Sequence, residues 1–323
     1  MKSVYRMRLK FFIWKQNKEE KIMQAIIISL TIVVFFSGCT RIQLPNLVVE
    51  EKKVEETSDI LKIENIETIP KPPIFSSDSF TLYFTIRNSD SEKTIKDIKI
   101  NIFDPSVFKI EKEGEKCTNA MPCSLLPLDQ KIIEFQLKAP EKEEIASVEI
   151  TPKVSFKVSF SMEARTLYDV VVVNLEELTK YQQAGKTLEV SRNKILSSGP
   201  MKIDIELLNA DAVIAGKTGK LKFVIKNSGT GYLVDNVIKK GSLTIDMSNF
   251  EVEHDMKDLF SCSGGICSNT DDIKIIGKES APMLFTIKAP SNIELWKTFT
   301  IVTKMNYTYE LRGNKDIKVI PAE

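Results

Sequence analysis

One alternating pattern occurs twice in this chain, and the duplication limits what it can fold into more than any other feature. Phe80-Thr81-Leu82-Tyr83-Phe84-Thr85-Ile86-Arg87-Asn88-Ser89 matches Gly219-Lys220-Leu221-Lys222-Phe223-Val224-Ile225-Lys226-Asn227-Ser228 at a constant offset of 139 residues. Leu82, Phe84, Ile86 and Asn88 fall on Leu221, Phe223, Ile225 and Asn227, so apolar side chains recur at every second position and each run stops at the same Asn-Ser. A period of two marks a strand with one buried face, because successive side chains of an extended backbone point to opposite sides. The match continues in order. Ile98, Ile100 and Ile102 alternate as Leu243, Ile245 and Met247 do, then come Phe108 and Phe250 and a close cysteine pair in each unit. Phe135-Gln136-Leu137-Lys138-Ala139-Pro140 then matches Phe285-Thr286-Ile287-Lys288-Ala289-Pro290 at an offset of 150. Val154, Phe156, Val158 and Phe160 close the first unit, as Met305, Tyr307, Tyr309 and Leu311 close the second.

Helical periodicity is nearly absent from both units, and each is about the ~100 residues of an immunoglobulin-like sandwich. The expected fold is all-β: two tandem immunoglobulin-like β-sandwich domains over residues 60–174 and 187–323, with first strands at Leu61 to Ile66 and Met201 to Leu207. The run Ile225-Lys226-Asn227-Ser228-Gly229-Thr230-Gly231, the turn Gly277-Lys278-Glu279-Ser280 and the strand Phe285 to Pro290 resemble the CARDB-like modules of prokaryotic surface proteins. That resemblance implies an adhesion or spacer role, and it brings no catalytic residues. Between the units, Asn174 to Gly185 reads as a short linker helix over 175–186, with Asn174 as N-cap, Glu177 at capping-box-like spacing and Gly185 as the stop. Leu175, Leu178 and Tyr181 form its apolar stripe, expected to pack on a neighbouring domain.

Ahead of the repeats, an apolar run from Ile22 ends at Ser37-Gly38-Cys39 and is preceded by Lys2, Arg6, Arg8, Lys10, Lys15, Lys18 and Lys21. Basic residues, then an apolar stretch, then small residues before a cysteine resemble a lipoprotein signal. In that family the cysteine thiol carries lipid and becomes the mature N-terminus, which makes Cys39 the expected attachment site and residues 1–39 a signal peptide. An uncleaved membrane helix over Ile22 to Gly38, near the ~17 residues that just cross a bilayer, is the alternative, and a soluble secreted product is the third. In each case the body lies outside the cytoplasm, because Lys and Arg are retained inside. Residues 40–59, with the charge run Glu50-Glu51-Lys52-Lys53, read as a solvated tether.

Five cysteines divide into Cys39 and the two close pairs Cys117 with Cys123 and Cys262 with Cys267. Outside the cytoplasm such pairs are read as disulfides, each contributing roughly 2 kcal/mol by the chain-entropy estimate. A four-cysteine zinc site is the alternative, although five residues separate Cys117 from Cys123 and zinc pairs are usually closer. Apolar residues make up 42% and charged ones 28%, enough for ordinary cores. Of 45 Lys and Arg and 44 Asp and Glu, seven and two precede Ile22, which leaves 38 basic and 42 acidic residues in a mildly acidic exported part. That balance argues against nucleic acid as a partner.

Candidate chemistry is thin. His254, the one histidine, sits among Glu251, Glu253 and Asp255 and reads as part of a solvated loop. Asp90 with Glu92, and Asp271 with Asp272, lack EF-hand spacing and read as surface charge. Gly185-Lys186-Thr187 and Gly216-Lys217-Thr218 lack the earlier glycine of a phosphate loop and read as turns. Asn306-Tyr307-Thr308 is a glycosylation sequon whose asparagine should point outward from a strand. No cofactor and no metal is expected. The function expected is a non-catalytic adhesion, binding or spacer module, membrane-bound through its N-terminal anchor, with an envelope protein or glycan as partner. A carbohydrate-binding accessory role using Tyr232 or Trp296, and an envelope hydrolase, are the alternatives.

Overall fold

The computed structural model describes residues 47–55, 58–113, 117–254, 256 and 258–322, so the apolar leader and Cys39 lie outside the described residues. The first described element is β1 (Leu47–Glu55). The first repeat forms β2 (Leu61–Ile69), β3 (Ile74–Phe75), β4 (Ser79–Asn88), β5 (Ile95–Asp104), β6 (Lys109–Lys112), β7 (Cys123–Leu125), β8 (Gln130–Lys138) and β9 (Lys153–Val173). Helix α1 (Leu175–Gln183) and β10 (Leu188–Leu196) follow. The second repeat forms β11 (Met201–Leu208), β12 (Val213–Ile214), β13 (Thr218–Asn227), β14 (Tyr232–Leu233), β15 (Val237–Ile238), β16 (Leu243–Asp246), β17 (Glu251–His254), β18 (Phe260–Ser263), β19 (Ile266–Asn269) and β20 (Ile273–Ile276). It ends with β21 (Glu279–Ser280), β22 (Met283–Lys288), β23 (Trp296–Asp316) and β24 (Val319–Ile320). Among the described residues the fold is all-β apart from α1 and one short 3-10 turn at Val234–Asn236.

The duplicated sequence makes duplicated strands. β4 and β13, the two ends of the original match, both pair with the Lys-Ala-Pro strands β8 and β22. The organising feature is the last strand of each repeat. β9 and β23 are each 21 residues long and pair antiparallel at every residue, from Trp296 against Val173 to Asp316 against Lys153. Glu163 and Asn306, at the two midpoints, therefore face each other, and a pseudo-twofold axis passes between them. The small strands follow the same exchange: β12 of the second repeat pairs with the end of β9, and β3 of the first repeat pairs with β24.

This pairing gives one eleven-stranded sheet, with β1, β10, β9, β23, β16, β19 and β18 in order and β5, β7, β12 and β14 beside them. Alternation sets its faces. Val154, Phe156, Val158, Phe160, Ile301, Met305 and Tyr309 are buried on one side, directly opposite partners sharing that side, as Phe160 and Tyr309 do with rings 5.9 Å apart. A four-stranded sheet (β2, β4, β8, β6) covers one end of this face, where Phe84 stacks on Phe156 at 4.0 Å. A seven-stranded sheet built around β13 and β22 covers the rest, with Thr166 Oγ1 donating to the Ile203 carbonyl at 2.8 Å. The main apolar core runs through both repeats.

Three expectations change. The sequence places a boundary between residues 174 and 187, whereas β9 and β23 carry one sheet across both repeats. Part of the stretch read as a tether is a strand: β1 pairs parallel with β10 over nine residues. Leu47 and Val49 pack against a small cluster with Val173, Leu178 and Leu188, and the largely buried Arg192 side chain bonds Glu51 at 2.9 Å, while Glu50 to Lys53 are exposed along a paired backbone. In α1, the Asn174 side chain caps the amides of Glu176 and Glu177 as expected, but Glu177 turns to Lys180 at 2.6 Å and the Asn174 amide donates to the Leu295 carbonyl. Leu178 is buried against the sheet and Leu175 stands exposed. Among the described residues no helix is long and apolar enough to cross a membrane.

Candidate functional site

A groove of about 860 Å³ lies on the pseudo-twofold axis. Its floor is the centre of the long strand pair, Ser161 and Glu163 from β9 beside Asn306 and Thr308 from β23. Its walls are equivalent segments of the two repeats: Lys93 to Asp97 at the start of β5, and Val234 to Ser242 leading into β16. The site exists only because the repeats share a sheet.

The asparagine that ends the repeated strand holds the first wall and the turn ahead of the second, and Asn269 Nδ2 donates to the Lys239 carbonyl of the second wall at 2.9 Å. Asn88 is buried; its Nδ2 donates to the carbonyls of Lys93 (2.7 Å) and Leu126 (2.9 Å), and its Oδ1 accepts the Asp90 amide at 3.0 Å. Asn227 repeats the arrangement, with Nδ2 donating to Gly231 O at 2.9 Å and Oδ1 accepting the Gly229 amide at 3.1 Å. Its Oδ1 also accepts the Tyr309 hydroxyl at 2.8 Å, and burial pushes that hydroxyl's pKa up to about 12 against the bond to Asn227. Such side-chain bonds to a backbone two residues on are what let asparagine replace a regular turn.

Charge is fixed on each wall. Burial works against the Asp90 carboxylate, yet the Ser198 hydroxyl, the amides of Glu92 and Lys93 and the Lys93 ammonium together hold its pKa below the usual carboxylate range. Lys93 Nζ also donates to Ser198 O at 3.1 Å. Across the groove Lys239 lies between Asp235 (3.2 Å) and Asp272 (3.6 Å), and Asp235 foremost raises its pKa. Lys96, Asp97, Glu163 and Asn306 are exposed into the groove space. The lining is rich in hydroxyl, amide and paired charges, suited to a polar ligand bound through many hydrogen bonds.

The sequence-selected residues scatter. Asn306 points outward as expected and lies on the axis. The cysteines form the disulfides Cys117–Cys123 and Cys262–Cys267, the latter across directly paired positions of β18 and β19. Tyr232 is exposed two residues before the Val234 wall, with the Arg312 guanidinium 4.9 Å from its ring. Trp296 is ten residues along β23 from Asn306, ~33 Å away at ordinary strand rise, so it shares no platform with Tyr232. His254 belongs to an edge strand, not a loop: β17 pairs with β22, and Val252, opposite Ile287, packs on the core. Asp271 and Asp272 serve turns, the Asp271 carbonyl accepting from Asn269 Nδ2 and the Asp272 carboxylate from the Lys240 amide. Gly185 and Gly216 are turn residues with φ of +74° and +70°. Among the described residues, no group of three or more His, Cys, Asp and Glu side chains is placed to hold a metal ion. Glu163, Lys96 and Asp235 escaped the sequence reading, since only the register of β9 on β23 brings them together.

No family model matches this chain, and no curated protein does. Among solved structures, a protein of unknown function from Porphyromonas gingivalis W83 aligns at 11% identity, over 71% of this chain and 83% of that one, with a TM-score of 0.20. The secreted serine protease VesC from Vibrio cholerae aligns at 11% identity over 72% of this chain and 48% of its own, with a TM-score of 0.18. Likeness this loose carries no argument about the site.

Proposed function

We propose that this chain is an exported, membrane-anchored and non-catalytic binding module of the cell envelope, lipidated at Cys39, whose two CARDB-like, immunoglobulin-like units are fused through their last strands. The groove on the pseudo-twofold axis is its ligand site. One observation carries the reading: both repeats contribute equivalent wall and floor segments to a single polar groove around Glu163 and Asn306. The basic leader ahead of the apolar run and the two disulfides support the exported part of the reading. Pull-down from crosslinked envelopes tests it. A specific protein or glycan recovered with the native chain, and lost with Thr308→Trp, which fills the floor, is the expected result. Equal recovery with the filled groove would overturn it.

The glycan form of this reading is favoured by the hydroxyl and amide floor and by exposed Tyr232, two residues before the Val234 wall. On a glycan array Tyr232→Ala should weaken binding and Trp296→Ala should leave it intact. Occupancy of the Asn306 sequon is incompatible with it, because an attached glycan would fill the groove.

A further inference from the structure

We propose that the Trp296 end of the molecule rests on the lipid surface. The inference rests on the reading of the chain as membrane-anchored near Cys39. β1 begins at Leu47, eight residues after Cys39, and eight residues reach at most ~28 Å. Leu47 packs into the small cluster formed by Val173, Leu178, Leu188 and Leu295, which fixes where the chain leaves the body. At that same end Trp296, opposite Val173, is 42% exposed and Leu175 is 45% exposed. An indole joins a large apolar ring to one N–H donor, and it concentrates at the level of lipid headgroups for that reason. Around these residues in the sequence, Lys180, Lys186 and Lys297 stand against Glu176, Glu177, Glu189 and Glu294, with Lys180 paired to Glu177 at 2.6 Å, so this end carries no basic excess. The contact is therefore apolar and gains nothing from anionic headgroups. The groove then lies ten residues, ~33 Å, along the strand pair from the contact.

Trp14 and Trp296 are the two tryptophans, and Trp14 lies in the leader, so a Trp14→Phe protein reports Trp296 alone whether the leader is removed or retained. This protein is reconstituted into phosphatidylcholine vesicles and recovered by flotation, then measured with lipids brominated near the headgroup and with aqueous iodide. The expected result is loss of most emission to the brominated lipid, little to iodide, and no change when phosphatidylglycerol is added. Leu175→Lys should shift the balance toward iodide. Emission untouched by brominated lipid in floated vesicles would overturn the proposal while leaving the anchor intact. Failure to float would overturn the anchor reading and this one with it. Shielding from iodide in native envelope membranes, without quenching by lipid, would assign the surface to a protein partner instead.

Discussion

Single side chains at the strand ends decide the shape of the walls. Asn88 is buried with its amide divided between carbonyls of two loops. Its replacement by alanine strands the Lys93 and Leu126 carbonyls, and a buried unmade bond costs about 1–3 kcal/mol. Asn88→Ala should lower the urea midpoint accordingly. A midpoint within error of the native one would remove the asparagine from the account. Asp204 on β11 argues similarly for charge. Burial works against its carboxylate, but Lys194 at 2.5 Å and Lys226 at 3.2 Å outweigh burial and hold its pKa below the ordinary value. A lowered folded-state pKa contributes stability above the unfolded-state value near ~3.9, lost as pH falls through the folded one. Asp204→Asn should therefore flatten part of the loss of stability between pH 5 and acid, read from denaturant midpoints; an unchanged slope would contradict it.

Elements show where local signals suffice. The β18–β19 hairpin turns on Gly264 and Gly265, both with positive φ (+58° and +80°). A Cβ on Gly265 would lie 2.5 Å from Ser248 Cα, while one on Gly264 meets open space. Gly264→Ala should cost only the left-handed strain of about 1–2 kcal/mol, and Gly265→Ala clearly more, which thermal unfolding will rank. The repeated strands were legible because period-two alternation is a local pattern, and α1 because Asn174 and Gly185 stand at its ends. β1 was not, since Glu50 to Lys53 interrupt its alternation and its partner β10 lies over a hundred residues away. A tether and an exposed edge strand share a charged composition.

At the scale of the molecule, the pairing of β9 with β23 left no trace in either segment alone. Each alternates as any half-buried strand does, and the register between residues so distant in sequence is set by both repeats packing on one face. The groove is a consequence of that register. Separate tandem sandwiches would hold Glu163 and Asn306 in different domains, whereas a shared sheet sets them opposite each other, where antiparallel Cα atoms are about 4.5–5.5 Å apart. The most direct measurement is a cysteine crosslink in a Cys39→Ser background carrying Glu163→Cys and Asn306→Cys. Mild oxidation of the monomer followed by peptide mapping should yield a 163–306 disulfide beside the two native ones. Free thiols at both positions under conditions that preserve the native pairs would contradict the shared sheet.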